Sequence, residues 1–152
     1  MKKYALAYAM NEGLPLFTKE DLQCLTHINL AFGLVKDGQL DMSQLTNLSL
    51  IETFRAWKPE IRIVLSVGGW GAGGFSAMAM TAQGREAFAR SCLEAVQRYG
   101  LDGIDIDWEY PCSGQAGIDW DPRDRENFTL LLQALRDQLG PRSLSIAAGA
   151  GE

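Results

Sequence analysis

Four carboxylates stand within the eight residues Asp102-Gly-Ile-Asp105-Ile-Asp107-Trp-Glu109, with Tyr110-Pro111 directly after them. The residues set between them, Ile104, Ile106 and Trp108, are β-branched or aromatic, the composition of a strand. Acids are poor strand formers, so their presence in such a run needs a chemical reason. Successive side chains of a strand point to opposite faces. Asp105, Asp107 and Glu109 are therefore expected on one face, with Ile104, Ile106 and Trp108 on the other.

Three kinds of chemistry suit a ladder of acids. A half-buried antiparallel strand can turn its acids to water. Here no Lys or Arg is interleaved, and like charges about 7 Å apart along one strand face repel. Aligned carboxylates can hold a hard cation, but such sites favour loops of Asn, Asp and Gly over a strand that ends in an aromatic residue and a proline. The third is a catalytic ladder. Crowding makes the acids share protons, so that one carboxyl stays neutral as a general acid beside a charged neighbour. That reading is preferred, and no metal or cofactor is assigned.

The elements that must position these acids follow from the pattern of the chain. Lys3 to Met10 reads as a buried strand, and Thr18 as the N-cap of a short helix with Asp21 three places on. His27 to Val35 is a second strand, ending in the turn Lys36-Asp37-Gly38. His27 is the only histidine; a lone one beside a strand is read as a structural hydrogen-bonder. Leu45, Leu48, Ile51 and Phe54 recur near helical spacing, and Lys58-Pro59 ends that helix because the residue before proline avoids helical torsions. Ile61 to Val67 is a nearly all-apolar third strand, running into the glycine-rich Gly68-Gly69-Trp70-Gly71-Ala72-Gly73-Gly74. Such glycines let the backbone approach a ligand or a neighbouring strand, although a flexible loop has the same composition.

A helix is expected from Thr81 to Tyr99, striped by Phe88, Cys92, Val96 and Tyr99 and stopped by Gly100. After the acidic strand, Asp121-Pro122-Arg123-Asp124 opens a helix with an N-cap, a proline and an early acid, and Gly140-Pro141 closes it. Ser143 to Gly149 is a fifth apolar strand. Strand and helix alternate, and no hairpin signal is read between consecutive strands, so a parallel sheet with crossover helices is predicted. An open doubly wound sheet and a β/α barrel suit that alternation equally.

Composition narrows the partners. The 152 residues have the length of one ordinary domain, and 47% apolar with 22% charged residues suffices for a core. A net charge of −5 argues against nucleic acid or an anionic membrane as partner, while a neutral polymer is compatible with it. No stretch approaches membrane-spanning length. The apolar run Tyr4 to Met10 ends at Asn11-Glu12 without a small-residue cleavage site, so a strand is read there rather than a signal peptide, and the cellular location stays open. Cys24, Cys92 and Cys112 form no Cys-x-x-Cys pair, which suggests neither a zinc site nor a redox motif.

Asp102-x-x-Asp105-x-Asp107-x-Glu109 followed by Tyr110-Pro111, with Gly103, Ile104, Ile106 and Trp108 as its filling, resembles the signature of the family 18 glycoside hydrolases, the chitinases and their relatives. The resemblance selects the barrel. It implies an α/β fold of (β/α)8 TIM-barrel type with about the first five strands and four helices present, residues 1–152 being the N-terminal part of a catalytic domain. A complete barrel typically needs about 250 residues.

The resemblance also implies roles. Glu109 is the general acid that protonates the glycosidic oxygen, Asp107 orients the substrate acetamido group, and Asp105 shares a proton with Asp107. Asp102 is structural. The nucleophile is the acetamido oxygen of the sugar, in a substrate-assisted retaining reaction outside the usual two-carboxylate scheme. Tyr8 and Ser66 support Asp105. Trp70 and Tyr110, with Gly68 and Gly69, line the sugar cleft; Phe32 is a candidate floor and Trp120 a candidate rim. The implied substrate is chitin or a chito-oligosaccharide, with peptidoglycan or N-glycan as the alternatives among relatives. Members also carry a Met-x-Tyr-Asp type segment on the sixth strand and a tryptophan on the eighth, which this sequence does not contain. A second chain or a C-terminal half is expected to complete the barrel. The alternative class is a chitinase-like protein that binds sugar without turnover.

Overall fold

The computed structural model describes residues 3–149. Its strands are β1 (Leu6–Met10), β2 (His27–Lys36), β3 (Gln39–Asp41), β4 (Arg62–Gly68), β5 (Gly103–Asp107) and β6 (Ser143–Ile146). The helices are α1 (Lys19–Cys24), α2 (Leu50–Trp57), α3 (Phe75–Ala79), α4 (Ala82–Tyr99) and α5 (Asp124–Leu139). Strands β1, β2, β4, β5 and β6 lie parallel in that order, and β3 pairs antiparallel with β2. This is the successive-crossover arrangement of a partial β/α barrel. Among the described residues no helix is long and apolar enough to cross a membrane.

Local chemistry explains the boundaries. Thr18 and Asp21 form a reciprocal capping box at α1. The Thr81 hydroxyl accepts from Gly84 N at the start of α4, and Gly100 ends that helix at φ 61°. Lys58 leaves α2 in extended conformation before Pro59. At α5 the regular turns start at Asp124. The N-cap is Arg123, with no side-chain cap bond, rather than the expected Asp121. Asp121 makes the turn before it: its carboxylate accepts from Arg123 N, and Asp124 accepts from Asp121 N.

The sheet has two unlike faces. Ile28, Leu30, Ile63, Leu65, Val67, Ile104 and Ile106 point to the helices and are fully buried with Phe54, Phe88, Leu131 and Leu135. Trp108 continues this layer, stacked on Phe75 at 5.3 Å and edge-on to Phe128 at 5.4 Å. The opposite face is concave. Its rows are set by the register that aligns Tyr8 with Asn29 and Val64, and Ala31 with Ser66, Asp105 and Ser145.

Four further expectations are corrected. Asp37 and Gly38, at φ 51° and 74°, make a two-residue hairpin loop joining β2 to β3, so one pair of consecutive strands is antiparallel. The Asp-Gly pair supplies the positive φ that such a turn demands. A fifth helix, α3, follows the glycine-rich loop, its first turn held by Asp119, which accepts from Gly74 N and Ala77 N. Strand β1 is not buried: Leu6, Tyr8 and Met10 are 46–53% exposed, because they face the concave side at a sheet edge. Strand β6 ends at Ile146 and is likewise largely exposed at the other edge.

Candidate active site

The carboxylate of Asp105, 1% exposed, is the centre of the concave face. Its Oδ2 accepts from Tyr8 Oη at 2.9 Å and Ser66 Oγ at 2.8 Å, and its Oδ1 from Ser145 Oγ at 2.6 Å. Strands β1, β4 and β6 thus each send one hydroxyl to an acid on β5. Tyr8 and Ser66 stand where the sequence reading put them. Ser145 was missed, and its signal was the alternation Ser143-Leu144-Ser145-Ile146, which puts both serines on one face.

Asp107 is the last residue of β5 and is 9% exposed. Burial first, then the charges of Glu109 and Asp105, push its pKa up to about 6. Among the described residues no Lys or Arg forms an ion pair with any of the three acids. Burial also raises Tyr8, reinforced by its hydrogen bond to Asp105, to about 12. Asn29 lies beside Tyr8 and draws that value down slightly, yet its buried amide reaches hydrogen-bond geometry with no group among the described residues.

Glu109 was expected inside the strand but lies two residues past its end, half-buried. The last bond along this pairing runs from Gly69 N, in the loop after β4, to the Asp107 carbonyl at 2.9 Å. The adjoining Glu109–Tyr110 peptide is cis, as is Ala31–Phe32. Glu109 nevertheless reaches the same groove as Asp107. That groove, about 300 Å3, is lined by Tyr8, Phe32, Asp107, Glu109, Tyr110 and the 147–149 segment. The Tyr110 hydroxyl is raised above its ordinary pKa by its hydrogen bond to Glu109 and that residue's charge.

Phe32 sits at the register shift between Ala31 and Gly33, so it drops out of the β2–β4 ladder. Such an irregularity re-aims a side chain. Its carbonyl is held by Gln44 Nε2 at 2.8 Å. Phe32 also lines a second groove of about 540 Å3 with Met10, Gly68, Gly69 and Trp70. The two glycines act on protein rather than open space: a Cβ on Gly68 would stand 2.0 Å from the Asp107 carbonyl oxygen, and one on Gly69 about 3.1 Å from the Phe32 ring. Trp70 meets Tyr110 edge-on at 6.4 Å. Trp120 is exposed over Gly114 and lines neither groove.

Asp102 stands at the opposite end of β5. It pairs with Arg55 at 3.0 Å and Arg62 at 2.7 Å, and accepts from Ile63 N at 2.8 Å. Burial pushes its carboxyl up, but the Ile63 N–H, the Arg62 hydrogen bond and both arginine charges more than reverse this, and its pKa is lowered. His27 is also at this end, with Nδ1 2.8 Å from Thr26 Oγ1.

Acids at the carboxyl ends of parallel strands, facing a groove walled by aromatic rings, have the placement of catalytic groups in β/α barrels. Known proteins share both the fold and the sequence. The description Glycosyl hydrolases family 18 matches residues 4–152. The chain is 38% identical over 116 residues to chitinase A1 of Niallia circulans, covering 68% of this chain and 16% of that protein. A family 18 N-acetylglucosaminidase from Paenibacillus barengoltzii superposes at a TM-score of 0.95 with 46% identity, covering 99% of this chain and 47% of that one. The chitinase domain of the Clostridium difficile spore coat protein CotE superposes at 0.90 with 40% identity, over 97% of this chain and 42% of that one. The chain thus spans less than half the length of each of these proteins. With the acid motif, the partial barrel and a match over nearly its whole length, the chain belongs to the glycosyl hydrolases of family 18.

Proposed function

We propose that the described segment is the N-terminal part of a chitinase-type catalytic domain that cleaves β-1,4-linked N-acetylglucosamine polymers. The carrying observation is that Asp107 and Glu109 share one groove, with the Asp107 carboxyl raised to about 6 and Asp105 directly behind it. Glu109, the more accessible of the two, delivers a proton to the glycosidic oxygen. Asp107 bonds the acetamido N–H and orients its oxygen for attack on the anomeric carbon. An oxazolinium ion forms, and water then opens it with net retention. Asp105, gripped by three hydroxyls, exchanges a proton with Asp107 and balances the charge that develops. Phe32, Tyr110 and Trp70 offer ring faces to the apolar C–H surface of the sugar.

A second reading, sugar binding without turnover, is favoured by the exposed concave face, where Leu6, Tyr8, Met10 and Ile146 are 45–53% exposed. A second chain or a C-terminal half covers this face and closes the barrel in the catalytic protein. One experiment separates the two readings. Release of fluorophore from a fluorogenic N-acetylated chito-oligosaccharide is compared for this chain, for a protein extended through the remaining strands, and for Glu109→Gln in each. We expect little turnover by the chain alone. The extended protein should be active and lose at least about 10²-fold in kcat on Glu109→Gln. Turnover that survives Glu109→Gln refutes the acid assignment, and full turnover by the chain alone refutes the need for a completed barrel.

A further inference from the structure

Asp124, the first residue of α5, is wholly buried, and no cation pairs with it among the described residues. Removing a carboxylate from water is costly unless donors replace the lost hydration. Asp124 has three. Its Oδ1 accepts from Ser76 Oγ at 2.7 Å, and its Oδ2 accepts from Asp121 N at 2.8 Å and Cys112 N at 3.2 Å.

The Asp121 bond alone is local, closing the turn that leads into α5. The other two donors come from distant segments. Ser76 belongs to α3, directly after the glycine-rich loop that carries Trp70. Cys112 lies three residues beyond Glu109 and two beyond Tyr110. One buried acid is therefore bonded to both segments whose far ends bring Trp70 and Tyr110 together at 6.4 Å. Asp119 adds a parallel tie from the same loop, through Gly74 N and Ala77 N.

We propose that Asp124 is a positioning residue of the sugar groove: it couples the Trp70 loop to the Glu109–Cys112 segment and thereby holds the aromatic wall in register with the acid. This rests on the reading of the groove given above. The acceptor requirement is specific. Leucine has similar bulk and no acceptor. Asparagine can keep its oxygen on the two backbone N–H groups and turn its amide to Ser76, whose hydroxyl can reverse to accept.

The test follows the ring contact by NMR in the full chain with labelled Trp and Tyr. A Trp70–Tyr110 ring cross-peak is expected in the unsubstituted protein. It should be lost in Asp124→Leu, restored in Asp124→Asn, weakened in Ser76→Ala, and unaltered in Asp102→Asn, a change to a partly buried acid at the other end of the sheet. Ser76→Ala decides the matter should Asp124→Leu not fold. A cross-peak unchanged in Ser76→Ala and in any folded Asp124→Leu overturns the proposal. So does its loss in Asp102→Asn, which would mean general loosening.

In the same samples, affinity for an N-acetylated chito-oligosaccharide, read by indole fluorescence, should fall about two- to tenfold in Ser76→Ala, the worth of one aromatic contact. If the unsubstituted chain binds no sugar, the reading of the groove fails, while the cross-peak still decides the role of Asp124.

Discussion

The two ends of β5 carry the same kind of residue under opposite conditions. At the amino end Asp102 meets two arginines and a backbone N–H, and its pKa is lowered. At the carboxyl end Asp107 meets burial and two further acids, and its pKa is raised to about 6. The spacing between them is five residues of one strand and its flank. An acid with cations around it stabilises a fold. An acid crowded by acids holds a proton near neutral pH, which is what a proton-transfer site needs.

Substitutions at the two ends can break that contrast or sharpen it. The largest effect is expected from Asp102→Ala. It removes the acceptor of two arginines and a strand N–H and should cost about 2–3 kcal/mol in urea unfolding at pH 7. Because the folded pKa of Asp102 is depressed, its contribution is present above the unfolded value of roughly 4 and fades as pH falls through the lower folded value. Sugar affinity of the folded protein should not change.

Asp107→Asn should do the reverse. The folded protein binds the Asp107 proton more tightly than the unfolded chain, so between about pH 4 and 6 stability falls as pH rises. Removing the charge should stabilise the protein by about 1–2 kcal/mol at pH 8 and leave it unchanged near pH 3, as read from unfolding curves at the two pH values. A loss of stability at pH 8 would mean that the two acids are alike after all. The smallest effect is expected from Ser145→Ala, which deletes the 2.6 Å hydrogen bond to Asp105 at an exposed edge. It should cost about 1 kcal/mol, and urea unfolding beside Ser143→Ala, on the same face without that bond, isolates it.

The acid strand was legible because its alternation is local: Asp105 and Asp107 turn to one side, Ile104 and Ile106 to the other, as the period of two requires. Capping at Thr18 was legible for the same reason. Burial was not, since it depends on neighbours. The run Leu6 to Met10 has the composition of a core strand, yet its concave side is exposed because no strand pairs beyond it among the described residues. The Asp37-Gly38 hairpin was overlooked although its turn was seen; three short partners, Gln39–Asp41, do not look like a strand. Glu109 was placed in the ladder although it lies two residues beyond it, because where β5 stops pairing depends on the flank of β4, 38 residues earlier at Gly69, which no local pattern records. The bonds of Ser145 and Asp124 escaped notice for a related reason: a serine in a strand and an acid in a first turn are ordinary until their partners are known.

Trp108 gives the molecule an optical property of its own. It is 3% exposed, lies flat on Phe75, and its indole N–H has no hydrogen-bond partner among the described residues. Trp70 and Trp120 are 63% and 54% exposed. The chain thus contains a shielded, short-wavelength emitter between Asp107 and Glu109 and a water-facing, long-wavelength emitter, Trp70, at the groove, beside an exposed Trp120 outside it and a half-buried Trp57. With Trp57 and Trp120 replaced by Phe, a soluble quencher will darken Trp70 and spare Trp108, so the integrity of the acid strand and the occupancy of its mouth can be followed as two separate colours in one cuvette.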